Sequence, residues 1–130
     1  ESFWNIIKVN DKQMVIERGK FYILRSKEKV RIPPDTAGEM IPYDTGIGDF
    51  RAHYAGFFDP GFGLTELGAS KTKAVLEVRS HDVPFLIEQD QTVCRLVYEP
   101  MANVPSVLYG ETGSSNNYQA QGLKLAKHFI

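Results

Sequence analysis

Lys73–Arg79 (KAVLEVR) is the stretch that most clearly indicates the fold class. Its β-branched and apolar residues are typical of a strand. Strand alternation places the apolar residues at positions 74, 76 and 78 on one face. Glu77 falls on the opposite face, together with Val75 and Arg79. We therefore predict a β-strand with one core-facing side and one carboxylate on its other side.

On the N-terminal side, similar short apolar runs are separated by turn residues. The runs cover residues 3–9, 13–17 and 21–25. Asn10–Lys12 and Arg18–Lys20 lie between them and carry turn signals. This arrangement predicts two hairpin-like connections.

The remaining short runs continue the same pattern. They include Val30–Ile32, Met40–Pro42, Phe50–Phe58 and Pro84–Ile87. Thr92–Glu99 carries apolar residues on both faces, which predicts a well-buried strand. Short strands with Gly and Pro turns and few or no helices favour an all-β sandwich, jelly roll or barrel.

Composition restricts the function classes. The 130 residues predict one domain, and the 15 basic and 16 acidic residues give a net charge of -1. This balance argues against a nucleic-acid surface. One cysteine, Cys94, cannot form an internal disulfide, and this favours a reducing, cytoplasmic environment. No apolar run is long enough to span a membrane, and no signal peptide is visible.

Familiar catalytic signatures are missing from the sequence. The His-x-Glu and Pro-Cys-x-x-Cys pattern of zinc deaminases does not occur. The three histidines, His53, His81 and His128, lack the spacing of metal ligands. Walker-type phosphate loops and Gly-x-Ser-x-Gly are also absent. Most familiar hydrolase and phosphate signatures are thus absent.

Three local features remain as candidates for chemistry. In His53–Gly63 (HYAGFFDPGFG), an aromatic-rich run leads to Asp59 at a Pro-Gly turn. The Asp59 carboxylate either accepts a sugar hydroxyl or a water, or only caps its own turn. Glu77, beside valines, is either a partly desolvated general acid/base or a solvated outer-face glutamate beside Arg79.

The third feature is Tyr118–Lys124 (YQAQGLK), which follows a polar, Gly/Ser/Asn-rich stretch at 111–117. It offers an aromatic ring, two amides and a cation. Such a segment either closes over a ligand or forms an ordered tail that packs against a neighbouring domain.

Four blocks in this order resemble the dCTP deaminase family of the dUTPase-like superfamily. Ala55–Gly61 (AGFFDPG) resembles its Ala-x-x-Ile-Asp-Pro-Gly motif, and Ala74–Val78 is similar to its strand with the catalytic glutamate. Leu96–Pro100 (LVYEP) and Tyr118–Gly122 (YQAQG) are similar to its later strand and its nucleotide-closing segment. The blocks cover roughly residues 20–125, and an insertion at 64–72 lengthens the spacing between the first two.

The resemblance is nearest to a long α-proteobacterial form with two such domains in tandem. It implies that residues 1–130 form a single dUTPase-like β domain, the C-terminal half of a longer chain. The implied fold is a distorted jelly roll or β-barrel. The implied assembly is a homo-oligomer, trimeric or pseudo-trimeric with an N-terminal sister domain, and its sites lie between subunits.

The implied reaction is zinc-independent hydrolytic deamination of dCTP to dUTP and ammonia, in pyrimidine deoxynucleotide (dUMP/dTTP) biosynthesis. Magnesium would accompany the triphosphate. The expected partner is therefore a nucleotide of the dCTP, dUTP or dTTP type, with no nucleic acid and no membrane.

Residue by residue, the resemblance gives Glu77 the role of general acid/base. It implies that the backbone of Ala55 reads the base edge and that Asp59 lies beside the deoxyribose. Phe57 stands where many single-domain members have a basic residue. Further residues implied to bind substrate are Tyr118, Gln121 and Lys124 in the closing segment.

One departure from the family leaves other functions open. Ile41–Gly48 (IPYDTGIG) stands where the family has a Ser-Ser-x-x-x-Arg phosphate motif, and Asp44 would repel phosphate. Another domain would then supply the phosphate-binding residues. The alternatives are a dUTP pyrophosphatase, a bifunctional deaminase/pyrophosphatase, and a non-catalytic structural half-domain of such an enzyme.

Overall fold

The computed structural model describes residues 3–42, 50–53, 56–64 and 72–111, in which there are eight β-strands and no helix. In these ranges no helix could therefore span a membrane. The strands in chain order are β1 (Gln13–Ile16), β2 (Phe21–Lys29), β3 (Thr36–Pro42), β4 (Phe50–His53), β5 (Phe57–Phe58), β6 (Lys73–Ser80), β7 (Phe85–Glu88) and β8 (Cys94–Pro100).

The strands form three antiparallel sheets. Two of them have three strands each, in the orders β2-β6-β4 and β5-β3-β8, and the third pairs β1 with β7. Neighbouring strands are mostly far apart in sequence, so the chain crosses repeatedly between sheets. This architecture confirms the expected dUTPase-like all-β class.

The predicted hairpins near the N-terminus are wrong. Residues 3–10 form no strand, and β1 pairs with β7, with Ile16 opposite Phe85. β2 pairs instead with β6. The connection between β1 and β2 does not fold the chain back on itself, because Gly19 (φ +72) donates its N–H to the carbonyl of Ser80 at 2.9 Å. This hydrogen bond places the start of β2 beside the end of β6, the strand with which β2 pairs.

The core is built around the inward face of β6. Ala74, Leu76 and Val78 are at most 5% exposed and belong to one apolar cluster with Ile16 and Ile32. Burial of a side chain the size of leucine or valine contributes about 1.5–3 kcal/mol. The predicted alternation of β6 is confirmed, and it leaves Glu77 on the outer face.

β8 is less buried than its sequence predicts. Leu96 and Cys94 pack against the core, but Tyr98 is 46% exposed. The reason is position: in the described part of the chain, β8 pairs only with β3 and lies at an edge of its sheet. Apolar residues on both faces therefore do not by themselves indicate a central strand.

Candidate active site

Glu77 lies on the outer face of the central strand of the β2-β6-β4 sheet. It is half-buried, and its neighbours along the strand, Leu76 and Val78, point into the core. Its cross-strand partners are Ile23 of β2 and His53 of β4. The central strand thus fixes the backbone position of Glu77, and its half-buried side chain lies on the outer face.

On this face, the cross-strand pairs on both sides of Glu77 contain arginine. Arg79 is paired with Phe21 on one side and with Arg51 on the other. In the opposite direction along β6, Val75 is paired with Arg25. Glu77 is therefore the one acidic position among these cross-strand pairs, in a chain whose net charge is close to zero.

An aromatic contact borders the same face. The rings of Trp4 and Phe21 have centroids 6.0 Å apart and are tilted by 51°. The Arg79 guanidinium carbon lies 5.6 Å from the centroid of the Phe21 ring, which is cation–π geometry. Sequence reasoning missed this cluster, because its members come together only through the β2–β6 register.

The turn that carries Asp59 is held by main-chain hydrogen bonds. The Phe62 N–H donates to the Asp59 carbonyl at 3.0 Å, and the Gly61 N–H donates to the Ile32 carbonyl at 3.2 Å. Gly61 has φ +94, a conformation that other residues rarely adopt. The predicted tight turn is confirmed, and its carboxylate is exposed.

Tyr109, which sequence reasoning also missed, supports this turn. Its N–H donates to the Pro60 carbonyl at 2.9 Å. Its ring lies 5.5 Å from that of Phe62, and the Phe62 ring lies 4.9 Å from that of Phe58. The segment leading to residues 112–130 thus passes beside the Asp59 turn.

The predicted site residues are distributed over two sheets. Glu77 is in the β2-β6-β4 sheet, whereas Phe57 is in β5 of the other three-stranded sheet and Asp59 directly follows that strand. Phe57 is 75% exposed and is paired with Glu39. The other predicted site residues lie outside the described residues: Ala55, Tyr118, Gln121 and Lys124.

Acidic and imidazole side chains are not gathered into a metal site in the described ranges, where no group of three or more His, Cys, Asp or Glu could hold an ion. His81 and Asp82 form an exposed pair, in which His81 Nδ1 lies 3.1 Å from an Asp82 carboxylate oxygen. Two adjacent exposed residues do not make a metal site.

Comparison with known proteins places the chain in one family. Residues 1–129 match the family described as 2'-deoxycytidine 5'-triphosphate deaminase (DCD), C-terminal domain. A curated relative, "dCTP deaminase, dUMP-forming" of Methanosphaera stadtmanae, is 26% identical over 125 residues. A crystal structure of 2'-deoxycytidine 5'-triphosphate deaminase from Agrobacterium tumefaciens is similar, with 50% identity and a TM-score of 0.71.

Both relatives are longer than this chain. The match covers 93% of this chain and 59% of the Methanosphaera protein, and 78% of this chain and 30% of the Agrobacterium chain. The family match nevertheless extends over nearly the whole sequence. The chain therefore belongs to the C-terminal domain family of the dCTP deaminases.

Proposed function

We propose that this chain is the part of a dCTP deaminase that carries the general acid/base, and that this residue is Glu77. The observation that supports the proposal most is the position of Glu77: half-buried on the outer face of a central strand, among basic residues, in a chain of the dCTP deaminase family. Its rigid strand would hold the carboxylate in place for proton transfer.

In the proposed reaction, Glu77 accepts a proton from a water molecule as the water oxygen bonds to C4 of cytosine. One hydrogen of this water ends on N3 of the base. The other passes through Glu77 to the amino group, which then leaves as ammonia when its bond to C4 breaks. The products are dUTP and ammonia, with no zinc ion involved. Proton transfer of this kind accelerates reactions by about 10²–10⁴-fold.

The substrate contacts follow from the motif resemblance. The backbone of Ala55 would read the base edge, and Asp59 would accept a hydrogen bond from the deoxyribose. The main-chain bonds that hold the Asp59 turn support a fixed position for its carboxylate. Phe57, which is largely exposed, would contact the substrate from β5. The residues proposed to close on the triphosphate and its magnesium ion are Tyr118, Gln121 and Lys124.

We propose that the working enzyme contains more than this chain. The chain spans 59% and 30% of the lengths of the relatives it matches. The separation of Glu77 and Asp59 into different sheets supports a site completed by another surface. An N-terminal sister domain in a trimeric or pseudo-trimeric assembly would supply it, in the cytoplasm, for pyrimidine deoxynucleotide synthesis.

A second candidate is a bifunctional enzyme that also cleaves dUTP to dUMP and pyrophosphate. One observation favours it: the Methanosphaera relative is named as dUMP-forming. A third candidate, a structural half-domain without catalysis, is favoured by the missing phosphate motif at residues 41–48.

The test is a steady-state assay of ammonia release from dCTP with magnesium. It uses the full-length protein, this chain alone, and this chain mixed with the preceding part. Separation of the products by chromatography distinguishes dUTP from dUMP with pyrophosphate. Activity only in the full-length protein or the mixture supports a site between domains. No ammonia from the full-length protein would reject deamination.

A further inference from the structure

We infer that Arg79, whose cross-strand position on β4 is also an arginine, Arg51, binds a phosphate group of the substrate beside Glu77. The inference rests on the proposed function and adds to it the phosphate-binding residues that the sequence motif at 41–48 lacks. It assigns this role to the β2-β6-β4 sheet of this chain.

The first argument is the pairing of like charges. Arg51 of β4 and Arg79 of β6 are direct partners in the ladder. Cross-strand partners lie on the same face of a sheet, and like charges at such positions destabilise the pair. An anion bound at the Arg79 guanidinium reduces this cost, because a guanidinium group matches phosphate oxygens with paired N–H donors.

The second argument is the restricted position of the Arg79 guanidinium. It lies over the Phe21 ring, which in turn contacts Trp4. A guanidinium that is already held on an aromatic face loses less conformational freedom when it binds an anion. Arg79 is nevertheless exposed, so its remaining N–H groups are accessible to a ligand.

The third argument is the distance to the proposed acid/base. Glu77 and Arg79 are two residues apart on one face of β6, which corresponds to about 6.6 Å along the strand. A nucleotide with its base at Glu77 can therefore direct its phosphates toward Arg79. On the other side of Glu77 the cross-strand pair is Val75 with Arg25, which offers one cation instead of two.

The experiment measures binding of inorganic tripolyphosphate to the full-length protein by thermal shift and calorimetry. The variants are Arg79→Gln, Arg79→Lys and the matched control Arg25→Gln, an exposed arginine on the same face but on the other side of Glu77. We expect Arg79→Gln to weaken tripolyphosphate binding about 10- to 100-fold. Arg79→Lys should recover part of the affinity, and Arg25→Gln should retain it.

Two further readouts separate binding from a structural role. Without ligand, Arg79→Gln should melt close to the wild-type temperature, because it removes both a like-charge pair and the contact of Arg79 with the Phe21 ring. With dCTP, it should raise KM about 10-fold or more and change kcat less. Tripolyphosphate binding by Arg79→Gln within twofold of wild type would overturn the inference, as would equal weakening by Arg25→Gln.

The design also separates this inference from the proposed function. If the full-length protein binds tripolyphosphate through Arg79 but releases no ammonia from dCTP, the phosphate site stands and deamination fails. If it releases ammonia but Arg79→Gln leaves both tripolyphosphate binding and KM unchanged, deamination stands and the phosphate site is rejected.

Discussion

Glu77 and His53 are direct partners across the ladder that joins β6 to β4. On the opposite side of β6, the partner of Glu77 is Ile23. A histidine and an isoleucine thus occupy the two cross-strand positions of Glu77. The chain leaves β4 at His53, and Ala55, the residue proposed to read the base edge, is only two residues further along the sequence.

The first prediction concerns Glu77→Gln in the full-length protein. Glutamine keeps the size of the side chain but cannot accept a proton from water, so we expect dCTP turnover to fall at least about 10²–10³-fold. Because Glu77 is on the outer face, its replacement should change the free energy of unfolding by no more than about 0.5 kcal/mol. Ammonia release and urea unfolding measure the two effects.

The control for this variant is Glu17→Gln. Glu17 forms an exposed ion pair with Lys20 at 2.7 Å and is not among the residues proposed to contact the substrate, so its loss should leave turnover unchanged. Near-normal turnover by Glu77→Gln would reject Glu77 as the acid/base. Loss of turnover in both variants would indicate a general effect of charge and not of the carboxylate at 77.

The sequence was sufficient to predict the strand around Glu77 and the face on which it lies. Every inward residue of β6 from Ala74 to Val78 is apolar, so the alternation assigns these residues to the inner face and Glu77 to the outer face. It was not sufficient to predict strand pairing. The turn before β2 resembles a hairpin, but the partner of β1 is the distant β7, and pairing of this kind depends on tertiary contacts.

The same limit applied to the candidate site. Glu77, Asp59 and Phe57 are site residues predicted from motifs, and the tight turn at Asp59 followed from Pro60 and Gly61. The contact between Phe21 and Arg79 depends on register alone, and neither residue belongs to a motif. Tyr98 is exposed because β8 lies at the edge of its sheet. The pattern of apolar and polar residues along the strand does not indicate this position.

A second prediction compares two adjacent phenylalanines in β5. Phe57 is 75% exposed, so Phe57→Ala should change the free energy of unfolding by at most about 0.5 kcal/mol. Phe58 packs against the core and lies 4.9 Å from the Phe62 ring, so Phe58→Ala should cost about 2–4 kcal/mol. Chemical denaturation of both variants measures the difference.

The same pair tests the proposed contact of Phe57 with substrate. Phe57→Ala should raise KM for dCTP in the full-length protein while the fold stays intact. If Phe57→Ala destabilises the protein as much as Phe58→Ala, then Phe57 is buried against another part of the assembly. In that case its proposed role in substrate binding is wrong.

A third prediction concerns Gly61 in the Asp59 turn. A Cβ atom at this position would lie 2.8 Å from Leu108 Cβ and 2.9 Å from the Tyr109 nitrogen, and φ is +94. Gly61→Ala combines a strained backbone with overpacking and should cost about 2–4 kcal/mol. Gly19 is the matched control, because its φ is +72 but nothing lies within 4 Å of the added Cβ.

We expect Gly19→Ala to lower the free energy of unfolding by only about 1 kcal/mol, because it adds backbone strain without overpacking. Thermal and urea unfolding of the two variants give the comparison. Equal costs would show that the close approach of residues 108–109 to the turn contributes nothing. A larger cost at Gly61, with a loss of dCTP affinity, would support the placement of Asp59 by this turn.

The last prediction concerns Cys94 and pH. Burial raises the pKa of the half-buried Cys94 thiol, and the nearby Glu28 carboxylate raises this pKa further. A raised pKa in the folded state means that folding disfavours the thiolate. The associated stability is therefore complete below the unfolded pKa of about 8.5 and is lost as pH rises through the higher folded pKa. The thiolate is also the form that reacts with alkylating agents.

At pH 7.5, iodoacetamide should label Cys94 in the folded chain more slowly than in the chain unfolded in urea, because the raised pKa lowers the thiolate fraction. Glu28→Gln removes the smaller of the two causes of the raised Cys94 pKa. This variant should modestly increase the labelling rate of the folded chain. Between pH 7.5 and pH 10, the wild type should lose more stability than Cys94→Ser, which has no thiol to ionise. Equal labelling rates in the folded and unfolded chains would show that Cys94 is not protected by burial.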